Sequence, residues 1–127
     1  MSKKVLVVDD NEGTVGWMKQ ILEKEGFEVF AAYNGQEGYE KAQETIPDAI
    51  LLDIMMPIMD GYTMNQRLKE NPYTKDIPVI VVSALSGMRQ TGTEAPIQGY
   101  MVKPVSSKVL LFKLDEVFKA TEGAKNE

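Results

Sequence analysis

Two short apolar runs each stop on an acid. Val5-Leu6-Val7-Val8 closes on Asp9 and Asp10, and Ala49-Ile50-Leu51-Leu52 closes on Asp53. A strand covered on one face alternates apolar and polar residues, whereas an unbroken run is covered on both faces, the condition of a parallel sheet between two helical layers. Val79-Ile80-Val81-Val82 and Tyr100-Met101-Val102 are two further runs, and Glu28-Val29-Phe30-Ala31-Ala32 is a weaker one. Helical spacing fills the gaps. Trp17, Met18, Ile21 and Leu22, with Thr14 or Val15, form one stripe over 11–25, and Gly26 is a good stop. A second helix is predicted over 35–45, Gly38 notwithstanding, ending before Pro47, and a third over 61–70 with Met64 and Leu68 inward. Val109, Leu110, Phe112, Leu114, Val117 and Phe118 mark a last helix over 106–120. Strand and helix alternate along the chain, which predicts an α/β fold with a parallel sheet and helices on both faces.

One connection is weak. Residues 86–96 stand where a helix is due between the fourth and fifth strands, but they carry two glycines, two threonines and a proline. An interior proline alone costs a helix about 3 kcal/mol, so a short or irregular segment is predicted there.

Composition narrows the chemistry. A chain of 127 residues suits one domain with a real core. With 0 cysteines and 0 histidines it has no disulfide framework, no thiolate or imidazole metal ligand and no histidine base, and it cannot itself carry a phosphohistidine. A formal charge of -5 without a basic stripe argues against direct nucleic-acid binding. No apolar stretch approaches membrane-spanning length. Met1-Ser2-Lys3-Lys4 leads straight into a strand with no cleavage site, so no signal peptide is read and a cytoplasmic location is the expectation.

Two strands ending on acids bring Asp9, Asp10 and Asp53 to the carboxyl edge of one sheet, where ligands of open α/β sheets bind. Crowded carboxylates are costly unless a cation shares the site, and Mg²⁺ suits a site with few carboxylates because it keeps several waters. Ser83 and Lys103 also follow apolar runs, so all five converge on that edge. Taken singly, each has a plainer role. Asp10 or Asn11 could cap the next helix, Asp60 before Gly61 is best read as a cap, Ser83 could be a turn serine, and Tyr100 an aromatic on an edge strand.

In this order the set resembles the receiver domain of two-component response regulators. Val-Val-Asp9-Asp10-Asn11, Asp53-Ile-Met-Met-Pro57-x-Met-Asp60-Gly61, Val-Val-Ser83-Ala84 and Tyr100-x-x-Lys103-Pro104 occur in register over roughly residues 3–120. The resemblance implies a receiver over 1–121 with a polar tail at 122–127, and a flavodoxin-like, doubly wound sheet of five strands in the order 2-1-3-4-5. It implies that Asp53 accepts a phosphoryl group, and that Mg²⁺ is held by Asp9, Asp10, Asp53 and the backbone carbonyl of Met55. Lys103 and Ser83 would contact the phosphoryl oxygens, Tyr100 would swing inward with Ser83 as the switch, and the Lys103-Pro104 bond would be cis. The implied partners are a sensor histidine kinase or histidine phosphotransfer protein and an output protein or domain. The domain would assist its own phosphorylation and dephosphorylation without being an enzyme in the usual sense.

Three other functions compete. An aspartyl phosphatase needs a second carboxylate two residues after its nucleophile, and position 55 is Met. An FMN carrier of similar fold needs a phosphate loop where this chain has Asp9-Asp10-Asn11-Glu12. A receiver-like interaction module working without phosphorylation is the remaining alternative, which the intact acidic set disfavours. The chain departs from the family in two respects. The stretch from Ser83 to Lys103 is slightly short, and 86–96 is expected to be mobile until activation. Met55 and Leu85 put apolar side chains where the family tunes hydrolysis, so slow self-dephosphorylation is predicted. No DNA-binding helix pair follows residue 120, which leaves a stand-alone receiver or the front of a longer regulator.

Overall fold

The computed structural model describes residues 2–84 and 95–125, with side chains described to residue 122. The elements follow in the order β1 (Lys4–Val8), α1 (Glu12–Lys24), β2 (Glu28–Ala32), α2 (Gly35–Thr45), β3 (Ala49–Leu52), α3 (Gly61–Glu70), β4 (Val79–Ser83), β5 (Gly99–Val102) and α4 (Ser107–Lys125). The five strands are parallel and ordered β2-β1-β3-β4-β5, with β1 as the first strand of both wings. The expected flavodoxin-like architecture is the observed one.

Strand alternation divides the core in two. Val5, Val7, Leu51, Ile80, Val82 and Met101 face one layer, where α1 and α4 cover them with Val15, Met18, Leu22, Leu110, Leu114 and Val117. Leu6, Val8, Ile50, Leu52 and Val79 face the other, under Ala42 of α2 and Met64 and Leu68 of α3. The central strands therefore bury apolar side chains on both faces, with Lys4 opening β1 and Ser83 closing β4. Gly38 lets α2 sit close, since a Cβ there would meet the Met64 sulfur at 2.9 Å and the Val8 side chain at 3.0 Å.

Helix ends follow local chemistry. The side chains of Asn11, Asn34 and Asp60 accept from the backbone N–H of Thr14, Glu37 and Thr63 at 2.8–2.9 Å, each capping a first turn. Gly26, at φ 94, ends α1 as predicted, and Phe27 N–H returns to the Leu22 carbonyl at 3.0 Å.

Two expectations are corrected. Trp17 is not in the inward stripe of α1 but 38% exposed, because Val15, Met18 and Leu22 centre that stripe and leave position 17 on its rim. Val109 and Phe112, two of the residues that marked α4, are exposed, and its buried face is Leu110, Leu114, Val117 and Phe118. Helix α4 also runs to Lys125 rather than stopping at 120. Tertiary contacts carry it on. Lys3 lies over the Phe118 ring at 4.9 Å and pairs with Glu122 at 3.4 Å, while Phe118 stacks on Phe27 with centroids 6.0 Å apart.

The irregular or mobile helix expected over 86–96 falls almost wholly on residues 85–94, outside the described residues. Residues 95–98 are not helical, and the Asn65 amide of α3 holds them by donating to the Ala95 and Pro96 carbonyls at 3.1 and 3.2 Å. Among the described residues no helix is long and apolar enough to cross a membrane.

Candidate functional site

The sheet ladder delivers the site residues one step past their strands. Asp9 N–H donates to the Ala32 carbonyl at 3.1 Å, Asp53 N–H to Val8 at 2.9 Å, and Lys103 N–H to Ser83 at 2.8 Å. Each residue leaves the sheet while its backbone is still registered, so the side chains meet at one edge.

Asp9, Asp10 and Asp53 offer carboxylate oxygens that all lie within 4.8 Å of one another. Asp9 and Asp53 are 2% and 7% exposed, whereas Asp10 is open to solvent. Lys103 reaches in from the fifth strand's end, with Nζ 2.7 Å from Asp9 Oδ2 and 3.8 Å from Asp53 Oδ2. Asp9 also accepts from the Asn11 N–H at 2.9 Å. Asn11 therefore both caps α1 and donates its N–H to Asp9, which leaves Asp10 free of capping duty. The Lys103-Pro104 bond is cis, as the resemblance implied.

Burial pushes the Asp53 carboxyl above its ordinary range, and the Asp9 charge, with a smaller push from Asp10, adds to this. Lys103 and the Ile54 N–H work in the opposite direction without cancelling it. Three acids against one ammonium leave negative charge uncompensated in a half-dry place. This donor set of carboxylate oxygens matches a hard divalent cation that keeps part of its water.

Ser83 is the last residue of β4, 1% exposed, and pairs in register with Val102. Tyr100 is half-buried on β5 opposite Val81, on the strand face away from buried Met101. The structure pairs Lys103 with Asp9 and Asp53, sets an Asp10 oxygen within 4.8 Å of theirs, and places Ser83 and Tyr100 on the adjoining strands.

The loop from Asp53 to Asp60 is held by contacts that sequence spacing did not reveal. A Cβ on Gly61 would lie 2.3 Å from the Asp53 carbonyl oxygen, and Gly61 N–H donates to the Ile54 carbonyl at 2.9 Å. Gly35, at the start of α2, donates its N–H to the Met59 carbonyl at 3.1 Å, and a Cβ there would lie 2.3 Å from that oxygen. Met59 N–H reaches the Pro57 carbonyl at 2.7 Å across Ile58, whose φ of 71 is unusual for a β-branched residue. Asp60-Gly61 pointed to a cap, but nothing local marked Gly35 as a partner of this loop. Met55 is 62% exposed and lines a cleft of about 420 Å³ with Asp10, Pro57, Asp60 and Tyr62. On the other flank, Trp17, Met18, Thr14, Pro104 and Val105 line a cavity of about 620 Å³ that reaches Lys103.

The profile described as "Response regulator receiver domain" matches residues 5–115. The chain belongs to the response regulator receiver family. It is 41% identical over 114 residues to the response regulator PleD of Caulobacter vibrioides, a match covering 88% of this chain and 25% of that protein. The chain thus spans about a quarter of that relative's length. Among solved structures it resembles the receiver domain of the sensor histidine kinase PA1611 from Pseudomonas aeruginosa, which has a magnesium ion coordinated in its active-site cleft. That match has a TM-score of 0.85 and 25% identity, covering 94% of this chain and 99% of that one. It also resembles a chain of the CheX-CheY-BeF3-Mg complex of Borrelia burgdorferi, with a TM-score of 0.82 and 34% identity, covering 91% and 89%. Receiver domains serve two-component signalling, and magnesium and phosphoaspartate are typical of the family.

Proposed function

We propose that this receiver is a phosphoacceptor switch. A sensor histidine kinase or histidine phosphotransfer protein donates a phosphoryl group to Asp53, and the altered surface binds an output protein or domain. The observation that carries this reading is the cluster itself: three carboxylates within 4.8 Å of one another, one of them, Asp9, on an ammonium at 2.7 Å.

An Asp53 oxygen attacks phosphorus in line with the leaving group. A P–O bond forms as the P–N bond of the donor phosphohistidine breaks, and the imidazole leaves with the electron pair and takes up a proton. Lys103 meets the charge on the phosphoryl oxygens, its ammonium being already placed between Asp9 and Asp53. Ser83 supplies a hydroxyl donor to the same oxygens from the end of β4. Asp10 and Asp53, with Asp9 directly or through water and the Met55 carbonyl, would hold Mg²⁺. The bound ion supplies positive charge that offsets the carboxylates and the incoming phosphoryl group.

Ser83 and Tyr100 then form the readout. A hydroxyl drawn toward the phosphoryl group vacates space that the ring fills, biasing a two-state surface. The protein assists its own acylation by positioning and charge and does not turn over in the ordinary sense.

Incubation with acetyl phosphate and Mg²⁺ tests the reading by intact mass. The wild type should gain one phosphoryl group that maps to Asp53, and Asp53→Asn should gain none. A folded wild type that stays unmodified, and does not bind beryllofluoride, would leave the phosphorylation-independent interaction module in its place.

A further inference from the structure

The methionines of the described residues are sorted by exposure. Met18, Met59, Met64 and Met101 are buried and Met56 is half-buried, while Met55 alone is exposed, at 62%. That one lies two residues after Asp53 and shares a cleft of about 420 Å³ with Asp10 and Asp60. An exposed thioether is open to peroxides, whereas a packed one is shielded by its neighbours.

We propose that Met55 is an oxidation site through which hydrogen peroxide shortens the life of the phosphoryl group on Asp53. This rests on the phosphoacceptor reading above. A sulfur lone pair attacks one peroxide oxygen, the S–O bond forms as the O–O bond breaks, and the departing hydroxide takes the proton of the transferred group to leave as water. Sulfur loses two electrons and the peroxide gains them.

The consequence follows from what each side chain can hold. A thioether is a weak acceptor and cannot orient a water against an acyl phosphate. A sulfoxide is polar and carries an oxygen that accepts hydrogen bonds, with the length and flexibility of the original side chain. Oxidation thus changes an apolar flank of the cleft into one that can seat the hydrolytic water, without touching Asp9, Asp10, Asp53 or Lys103. Leucine in the same place would fill similar volume with no such second state.

Peroxide titration with peptide mapping gives the first measurement, which needs no phosphorylation. Met55 sulfoxide should form ahead of Met18, Met59, Met64 and Met101 by about tenfold, following exposure. Phosphate release from the phosphorylated protein gives the second. Oxidised wild type should release phosphate on the order of three- to tenfold faster, short of the effect of a positioned general base. Methionine sulfoxide reductase should restore the slow rate, and Met55→Leu should show no peroxide response. Buried methionines oxidising as fast as Met55, or release unchanged by Met55 oxidation, would overturn the inference. Failure of untreated protein to take up phosphate would instead overturn the phosphoacceptor reading, and the inference with it.

Discussion

The Asp53 carboxylate is held in a conflict of charge. Burial and Asp9 raise its proton affinity, and Lys103 only partly offsets them. Because the folded pKa lies above the ordinary value of 3.8, the folded state binds this proton more tightly than the unfolded chain does. The stability it contributes is full below the unfolded pKa and is lost as pH rises through the folded one. In EDTA at pH 7, Asp53→Asn should therefore raise Tm. That gain should shrink as the solution is acidified through the raised pKa, and a variant that melts lower than wild type at pH 7 would contradict the assignment. The same proton competes with metal, so Mg²⁺ affinity by calorimetry should weaken toward acid pH, approaching about tenfold per pH unit below the raised pKa. Lys103→Met should slow phosphorylation on the order of a hundredfold, as removal of one preorganised charge-stabilising group does. These residues were legible in the sequence because an apolar run that stops on a polar side chain fixes both burial and edge. The choice between Asp10 and Asn11 as the cap of α1 was not legible, since it turns on which side chain folds back onto the Thr14 N–H.

The elements are set by two kinds of information. Strands and the first three helices follow apolar spacing and caps, and their observed limits lie within a residue or so of the predicted ones. The end of α4 does not, because Lys3 and Phe27, from the far end of the chain, support its last turns. Trp17 was misplaced for a related reason: a stripe of helical spacing has two rims, and only the packed sheet decides which rim is covered. The loop between β3 and α3 depends on backbone approaches that leave no pattern. Gly61→Ala would drive a methyl group into the Asp53 carbonyl, so urea unfolding should show a loss of about 1–3 kcal/mol, the usual cost of overpacking. Ile58→Gly tests the same loop in the opposite direction. Ile58 is 83% exposed and sits at φ 71, so relieving its left-handed backbone should stabilise the protein by about 1 kcal/mol. A loss of stability there would mean that the isoleucine side chain has a role its exposure conceals.

At the scale of the molecule, one sheet separates two cores and gathers the buried acids Asp9 and Asp53 at its carboxyl edge. The parity of each central strand was visible in its unbroken apolar run, which implied cover on both faces. Strand order was not readable from periodicity and came only through resemblance to receivers, since every parallel α/β chain has a similar rhythm. The acids at the edge oppose folding unless their charge is matched, so metal binding should register globally. Mg²⁺ at a hundred times its Kd should stabilise the wild type by about 2.7 kcal/mol, if the unfolded chain does not bind it.

The central claim is that a divalent ion relieves the repulsion among Asp9, Asp10 and Asp53 and so allows Asp53 to be acylated by phosphate. The most direct measurement is the initial rate of phosphoryl incorporation from acetyl phosphate across a Mg²⁺ titration, with Asp10→Asn alongside. The rate should saturate with Mg²⁺ in wild type, fall close to zero in EDTA, and need at least about tenfold more Mg²⁺ once Asp10 is neutral, as the loss of one charged ligand requires. Equal incorporation into Asp53 with and without metal would contradict it.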